Sequence, residues 1–187
     1  MNSLTQELIH RCKKNERSAM AELFSILAPK MKGICYRYSG NILDAEDLLQ
    51  ESFITIFTKI DSYQATGSFE GWARRITVNT SLNWLKKNKQ LLQMTQLSYK
   101  HEAENNNEED NTEEGIMGIT NEELMKNIAL LPDGYRTILN LFAIEGYSHK
   151  EIGEQLGINE STSRSQYTRA KQALQHLLMN KKMNEQF

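Results

Sequence analysis

Between Gln93 and Thr120 the chain loses every sign of a packed element, and this interruption decides what can fold on either side of it. The run HEAENNNEEDNTEEG has no apolar periodicity, and residues 101–121 carry seven acids with no Lys or Arg. Like charge this dense, with so little apolar surface, cannot offset the entropy of ordering, so the segment is predicted to be disordered. Its 28 residues would span about 30 Å as a flexible coil. The net charge of −2 hides the resulting asymmetry: residues 1–100 hold fourteen Lys and Arg against nine Asp and Glu, and residues 122–187 hold eight of each. A chain of 187 residues cut in this way makes two small modules rather than one core.

Both modules read as helical. Glycine and proline are scarce, at ten and two residues, and no clean apolar–polar alternation occurs. The predicted fold class is all-α: two small helical domains joined by a disordered acidic linker, the second a helix-turn-helix. The expected boundaries are 1–97, a linker at 98–120, 121–182, and a tail at 183–187. No apolar run reaches membrane-spanning length, and MNSLTQELIHRCKK lacks a signal peptide's apolar core, so a cytoplasmic protein without direct membrane insertion is expected. Cys12 and Cys35 fall on apolar helix faces without CxxC spacing and read as reduced core thiols. The four histidines are scattered, so neither metal nor cofactor is expected.

In the front module, helices are expected at about Thr5–Lys14 and Glu16–Tyr38, the second with a break or kink near Pro29. Asp44 is a plausible cap for the next helix, whose buried face is Leu49, Phe53, Ile56 and Ile60. Asp47, Gln50, Glu51 and Ile54 lie opposite. An aliphatic residue ringed by acids resembles a docking surface; taken alone, the helix fits an ordinary solvated face with a stray Ile slightly better. A punctuated loop, DSYQATGSF at 61–69, then leads into FEGWARRITVNTSLNWLKKNK. There Trp72, Ile76, Asn79 and Asn83 recur about one turn apart, among Arg74, Arg75, Lys86, Lys87 and Lys89. Rings that stack on unpaired bases, beside cations that track phosphates, suit single-stranded nucleic acid. The bland alternative is an amphipathic helix with buried tryptophans and a solvated basic rim.

In the rear module, helices are expected at about Asn121–Leu130, stopped by Leu131-Pro132, and at Asp133–Ala143, ended by Gly146. Tyr135, Ile138, Leu139 and Phe142 should be buried in the second. Ser148-His149-Lys150-Glu151 is a capping box opening a short helix. Gly157-Ile158-Asn159 is a tight turn, and Asn159 caps a longer basic helix with Tyr167, Ala170, Leu174, Leu177 and Leu178 inward. Short helix, turn and basic helix make a helix-turn-helix. Its early outward residues would be Ser161, Thr162, Arg164, Ser165 and Gln166, followed by Thr168, Arg169 and Lys171. Arg can pair with guanine and Gln with adenine, while Lys, Ser and Thr suit phosphates.

Four segments together resemble the extracytoplasmic-function (ECF) sigma factors of the sigma-70 family: DAEDLLQESFITIF at 44–57, SF-x-GW-x-x-RI-x-VN at 68–79, LPDGYRTILNLFAIEGYSHKEIGEQLGI at 131–158, and STSRSQYTRAKQAL at 161–174. The resemblance covers nearly the whole chain outside residues 98–120. It implies that Asp47, Gln50, Glu51 and Ile54 bind the β′ clamp helices of core RNA polymerase. It implies a loop, with Ser62, Tyr63 and Phe69, that shapes a pocket for a base flipped from the −10 element. Trp72, Arg75, Asn79, Asn83 and Lys86 would hold the melted non-template strand. The rear module would read the −35 duplex through Ser161, Thr162, Arg164, Ser165, Gln166, Arg169 and Lys171, and would rest on the β flap. The acidic linker would pass through the RNA exit path, and an anti-sigma factor is the family's usual partner. The chain departs from the family where Gly-Thr-Val-Lys-Ser-Arg is frequent: Ser163 replaces the hydrophobic third residue and Gln166 an Arg. Asn83 stands where Asp is common.

Two other classes compete. A stand-alone helix-turn-helix repressor or activator would need a dimerisation surface and a sensor pocket. It leaves the Trp-rich basic helix and the acidic docking helix without a role. An enzyme acting on nucleic acid would need a nucleophile–base pair, a phosphate-cradling glycine loop or paired catalytic carboxylates, and the sequence offers none of these. No small-molecule substrate is expected.

Overall fold

The computed structural model describes residues 6–87 and 119–184. The chain divides into two compact units, residues 1–87 and 88–187, and every described regular element is helical. The segment expected to be disordered lies outside the described residues, apart from 119 and 120.

The front unit holds α1 (Gln6–Lys13), α2 (Arg17–Ser39), α3 (Ile42–Lys59), a 3₁₀ turn at Ile60–Ser62, and α4 (Phe69–Lys87). Helix α2 is central and packs on α1, α3 and α4. Leu23, Leu27, Met31, Ile34 and Tyr38 of α2, Leu48, Phe53 and Ile56 of α3, and Val78, Leu82 and Leu85 of α4 are buried. The expected break at Pro29 does not occur, and α2 runs through it. A proline inside a helix costs about 3 kcal/mol. Buried Leu23, Leu27, Met31 and Ile34 on both sides of it supply apolar burial that offsets this. Small polar side chains buried in α4 bond back to their own helix: Thr77 to the Ala73 carbonyl at 3.1 Å and Ser81 to the Thr77 carbonyl at 2.8 Å. Their size lets neighbouring helices approach without leaving a polar group unsatisfied.

The corner between α1 and α2 turns at Asn15, which has φ 59. It is braced by an ion pair between Arg11 and Glu16, with Ser18 donating to the same carboxylate at 2.7 Å. Helix α3 begins earlier than expected. Its cap is Asn41, whose side chain accepts from the Asp44 N–H at 2.9 Å. Asp44 therefore lies in the first turn, where a carboxylate still complements the helix dipole.

The rear unit holds α5 (Asn121–Leu130), α6 (Asp133–Leu139), which continues into a π turn at Asn140–Ile144, α7 (His149–Leu156) and α8 (Glu160–Asn184). Thr120 and Glu123 form a capping box on α5, and Ser148 and Glu151 form one on α7. Arg136, buried at the start of α6, donates to the carbonyls of Ala129 at 2.8 Å and Leu131 at 3.1 Å and pairs with Asp133. One side chain thus satisfies carbonyls at the end of α5 and ties the two helices across Pro132. Ile128, Leu131, Leu139 and Ala170 form the core, with Tyr135, Tyr167, Leu174 and Leu177 packed around it.

Between α7 and α8 the turn needs two glycines. Gly157 sits in the left-handed region at φ 72, where a Cβ is strained. A Cβ on Gly153 would fall 2.7 Å from the carbonyl oxygen of Ile158. That close approach sets how tightly α8 folds back on α7.

Candidate nucleic-acid interface

On α4 the residues singled out in the sequence share one strip. Arg75, Asn79, Asn83 and Lys86 are exposed and Trp72 is half-buried, at spacings of three and four residues that align them along the helix. Trp72 does not stand alone. Its ring lies 5.2 Å from Phe69 and 5.6 Å from Tyr63, and Tyr63 meets Phe69 edge-on at 5.0 Å. Phe69 is 3% exposed, so it backs the other two rings and offers no surface of its own. Ser62 and Tyr63 are brought beside this cluster, and the Ser68 hydroxyl accepts from the Gly71 N–H at 3.1 Å where α4 begins.

Beside the rings is a recess of about 510 Å³, walled by Gln6 and Ile9 of α1 and by Tyr63, Phe69, Glu70 and Arg74. A ring-lined hollow with a guanidinium and a carboxylate at its wall can take a flat, polar-edged group. Glu70 is held in place by Lys30, whose ammonium lies 2.7 Å and 2.9 Å from its two oxygens. Beyond the loop at residues 61–69, where the pocket is expected, α1 contributes Gln6 and Ile9 to its wall.

On α3, Asp47, Gln50, Glu51 and Ile54 are all exposed, Ile54 at 68%. Leu43, which the sequence reading passed over, is 78% exposed and stands one turn before Asp47 on the same strip. With Asn41 rather than Asp44 as the cap, Leu43 lies inside the helix. The strip is therefore an acidic patch with an aliphatic residue at each end. Glu51 makes one long contact, 3.9 Å, to Lys87.

On α8, Ser161, Arg164 and Ser165 are exposed, and Thr162, Arg169 and Lys171 are half-exposed. Arg164 is paired with Glu160 one turn earlier, and Lys171 lies 6.0 Å from the centre of the Tyr167 ring. Gln166 is different. It is 7% exposed, because the periodicity of α8 turns it inward near buried Ser163 and Ala170. The outward reading of Gln166 is therefore corrected: the side chain faces the interior of the unit.

Ser163 is fully buried, and its hydroxyl lies 2.9 Å from Nδ1 of His149. The His149 ring stacks on Phe142 at 4.1 Å and 11°. The π turn at Asn140–Ile144 carries Phe142, so three elements meet at one imidazole. Nothing in the capping-box pattern around His149 signals this packing role.

The two buried thiols remain protonated: burial raises Cys12, and it pushes Cys35 up to about 12. Among the described residues, no group of three or more His, Cys, Asp and Glu side chains is placed to hold a metal ion.

A helix-turn-helix in one unit, and a basic, ring-bearing strip in the other, define a DNA-binding protein of two modules. The family pattern Sigma-70 region 2 matches residues 23–90, and Sigma-70, region 4 matches residues 121–174. The ECF RNA polymerase sigma factor SigW of Bacillus subtilis is 30% identical over 191 residues, covering 95% of this chain and 98% of that protein. The ECF RNA polymerase sigma factor SigE of Mycolicibacterium smegmatis is 36% identical over 160 residues, which is 84% of this chain but 60% of that longer relative. The fold is similar to that of the sigma factor RpoE from Bartonella quintana, crystallised with the anti-sigma factor NepR. The TM-score is 0.51 at 21% identity, with 85% of this chain and 96% of that one covered. The chain belongs to the ECF group of the sigma-70 family, the sigma factors that direct promoter-specific transcription initiation.

Proposed function

We propose that the front unit docks on the β′ clamp helices of core RNA polymerase through Leu43, Asp47, Gln50, Glu51 and Ile54 of α3, and that its neighbouring recess and α4 strip trap the melted −10 strand. The observation that carries this reading is the presence, on one small helical unit, of both an acidic strip ending in exposed aliphatics and a basic strip built around a ring cluster. One face suits a protein partner and the other an unpaired strand. The chain itself needs no hydrolytic step. Unstacking costs a few kcal/mol per base step, and stacking an extruded base on an aromatic side chain returns about 1–3 kcal/mol.

The rear unit reads the −35 duplex with Arg164 as the principal base-reading side chain. Ser161, Thr162, Ser165, Arg169 and Lys171 set its register on phosphates, and Gln166 supports the helix from behind. Rest contacts on the β flap and passage of the acidic linker through the RNA exit path complete the assembly. The expected place of work is the cytoplasm; among the described residues no helix is long and apolar enough to cross a membrane. An anti-sigma factor is the expected regulator.

Reconstitution tests the whole reading. The purified chain should co-elute with core polymerase in gel filtration and should support run-off transcription from a library of promoters of its own genome. A dimer without affinity for polymerase would instead mark a stand-alone helix-turn-helix regulator.

A further inference from the structure

The Sigma-70 region 2 match begins at residue 23, yet α1 lies ahead of it and touches the recess. Gln6, Ile9 and Lys13 share one face of α1, at i, i+3 and i+7. The first two wall the recess. At the end of the same face the Lys13 ammonium donates to the carbonyl oxygen of Tyr63 at 3.2 Å and, more weakly, to that of Asp61 at 3.5 Å. We infer that α1 is a working wall of the base-receiving pocket and that Lys13 is a positioning residue for its loop. This inference rests on the reading of residues 61–69 as the part that receives an extruded base.

The loop has reason to need an outside tie. Ala65 sits at φ 57, a left-handed conformation that costs a non-glycine residue free energy and persists only where the surroundings hold it. Residues 64–68 are exposed. The remaining side-chain ties are local: Ser62 donates to the Lys59 carbonyl, Tyr63 to the Gly67 carbonyl, and Gly71 to the Ser68 hydroxyl. These bonds set the loop's shape, and the Tyr63 ring packed on Phe69 and Trp72 seats it against α4. Lys13 adds the tie to α1, joining the loop to a helix 50 residues upstream.

The footing is firm. Leu8, Ile9 and Cys12 are buried, and the Arg11–Glu16 pair closes the corner behind them. A bond from an ammonium to a carbonyl is charge-assisted and stronger than a neutral one. Holding the Tyr63 backbone holds its ring against Phe69 and Trp72, and the Tyr63 and Trp72 rings are the surfaces an extruded base would meet. Removing the ammonium leaves the fold and the α3 docking strip intact and frees the loop to drift.

The test uses full-length chain with core polymerase and a forked promoter carrying 2-aminopurine in turn at each −10 position, whose fluorescence rises when the base leaves the stack. Lys13→Met keeps the aliphatic stem and removes the donor. It should lower the affinity for the forked −10 strand and the fluorescence response by about three- to tenfold, with polymerase affinity, −35 duplex binding and thermal unfolding unchanged. Lys13→Arg should restore most of the response. Tyr63→Ala is the reference for the pocket itself. If Tyr63→Ala abolishes the response while Lys13→Met matches the wild type, the pocket stands and the α1 inference is overturned. If neither variant alters any −10 signal, the reading of the loop falls and the inference with it. A loss in Lys13→Met that Arg does not rescue, or that comes with a lowered unfolding temperature, overturns the positioning role in favour of a fold defect.

Discussion

Oγ of Ser163 and Nδ1 of His149 lie 2.9 Å apart, a hydrogen bond between the two helices of the helix-turn-helix made where both side chains are buried. A hydroxyl occupies the place where an aliphatic side chain is frequent in the family, and it is matched by a polar partner on the facing helix. The pair fixes the angle of the recognition helix by direction as well as by volume.

Ser163→Ala should therefore cost more than a lost methylene would. It strands a buried ring nitrogen, a penalty of about 1–3 kcal/mol. Hydrogen–deuterium exchange should speed up in α7 and α8 and stay unchanged in α1–α4. Wild-type exchange rates in α7 and α8 of the variant would show that the bond contributes nothing.

The same imidazole makes the rear unit acid-sensitive. Burial holds His149 below its ordinary value of 6.5, Arg164 pushes the same way, and Glu160 opposes them. The unfolded chain then binds the proton at a higher pH than the folded one. Stability is full above about pH 6.5 and declines as pH falls through that value toward the lower folded one. Protection factors in α7 and α8, with the intrinsic pH dependence of amide exchange divided out, should be lower at about pH 5.5 than at about pH 7.5 in the wild type, and the difference should shrink in His149→Asn.

Charge reversal at the docking strip gives the sharpest separation of functions. If α3 docks as proposed, Asp47→Lys with Glu51→Lys should lower affinity for core polymerase at least about tenfold, since a partner surface complementary to the acidic strip would then face like charge, which costs several kcal/mol. Circular dichroism should be unchanged, because both positions are exposed. Leu43→Ser should weaken docking in the same direction and leave binding to free −35 duplex untouched.

Trp72→Ala should spare polymerase docking and duplex recognition and should damage melting. A stacked base is worth about 1–3 kcal/mol, so permanganate reactivity of −10 thymines should drop by about an order of magnitude. Because Trp72 also packs on Tyr63 and Phe69, Trp72→Phe is the companion variant. It keeps a ring in the cluster and should retain part of the reactivity.

Much of this architecture was legible from residue order. Leu131-Pro132 stops α5 as expected, because proline constrains the residue before it. The Ser148–Glu151 box starts α7, and Gly157 turns left-handed after it. These are local rules acting within four or five residues. The start of α3 shows their limit: Asn41 and Asp44 both suit a cap, and it is the Asn41 side chain that takes the Asp44 N–H and begins the helix three residues earlier. The passage through Pro29 shows another, since burial on both flanks outweighs a local breaker.

By itself, then, the amino-acid order determined the helical class, the cut into two modules, the turn chemistry of the helix-turn-helix and the acidic and basic strips, because each depends on periodicity or on short-range geometry. Only tertiary packing decided that Gln166 faces inward, that Phe69 backs a ring cluster, that Ser163 meets His149, and that Lys13 reaches a loop 50 residues away. Those relations depend on how helices are set against one another. Long-range contacts of that kind leave no periodic trace in either partner's own stretch of chain.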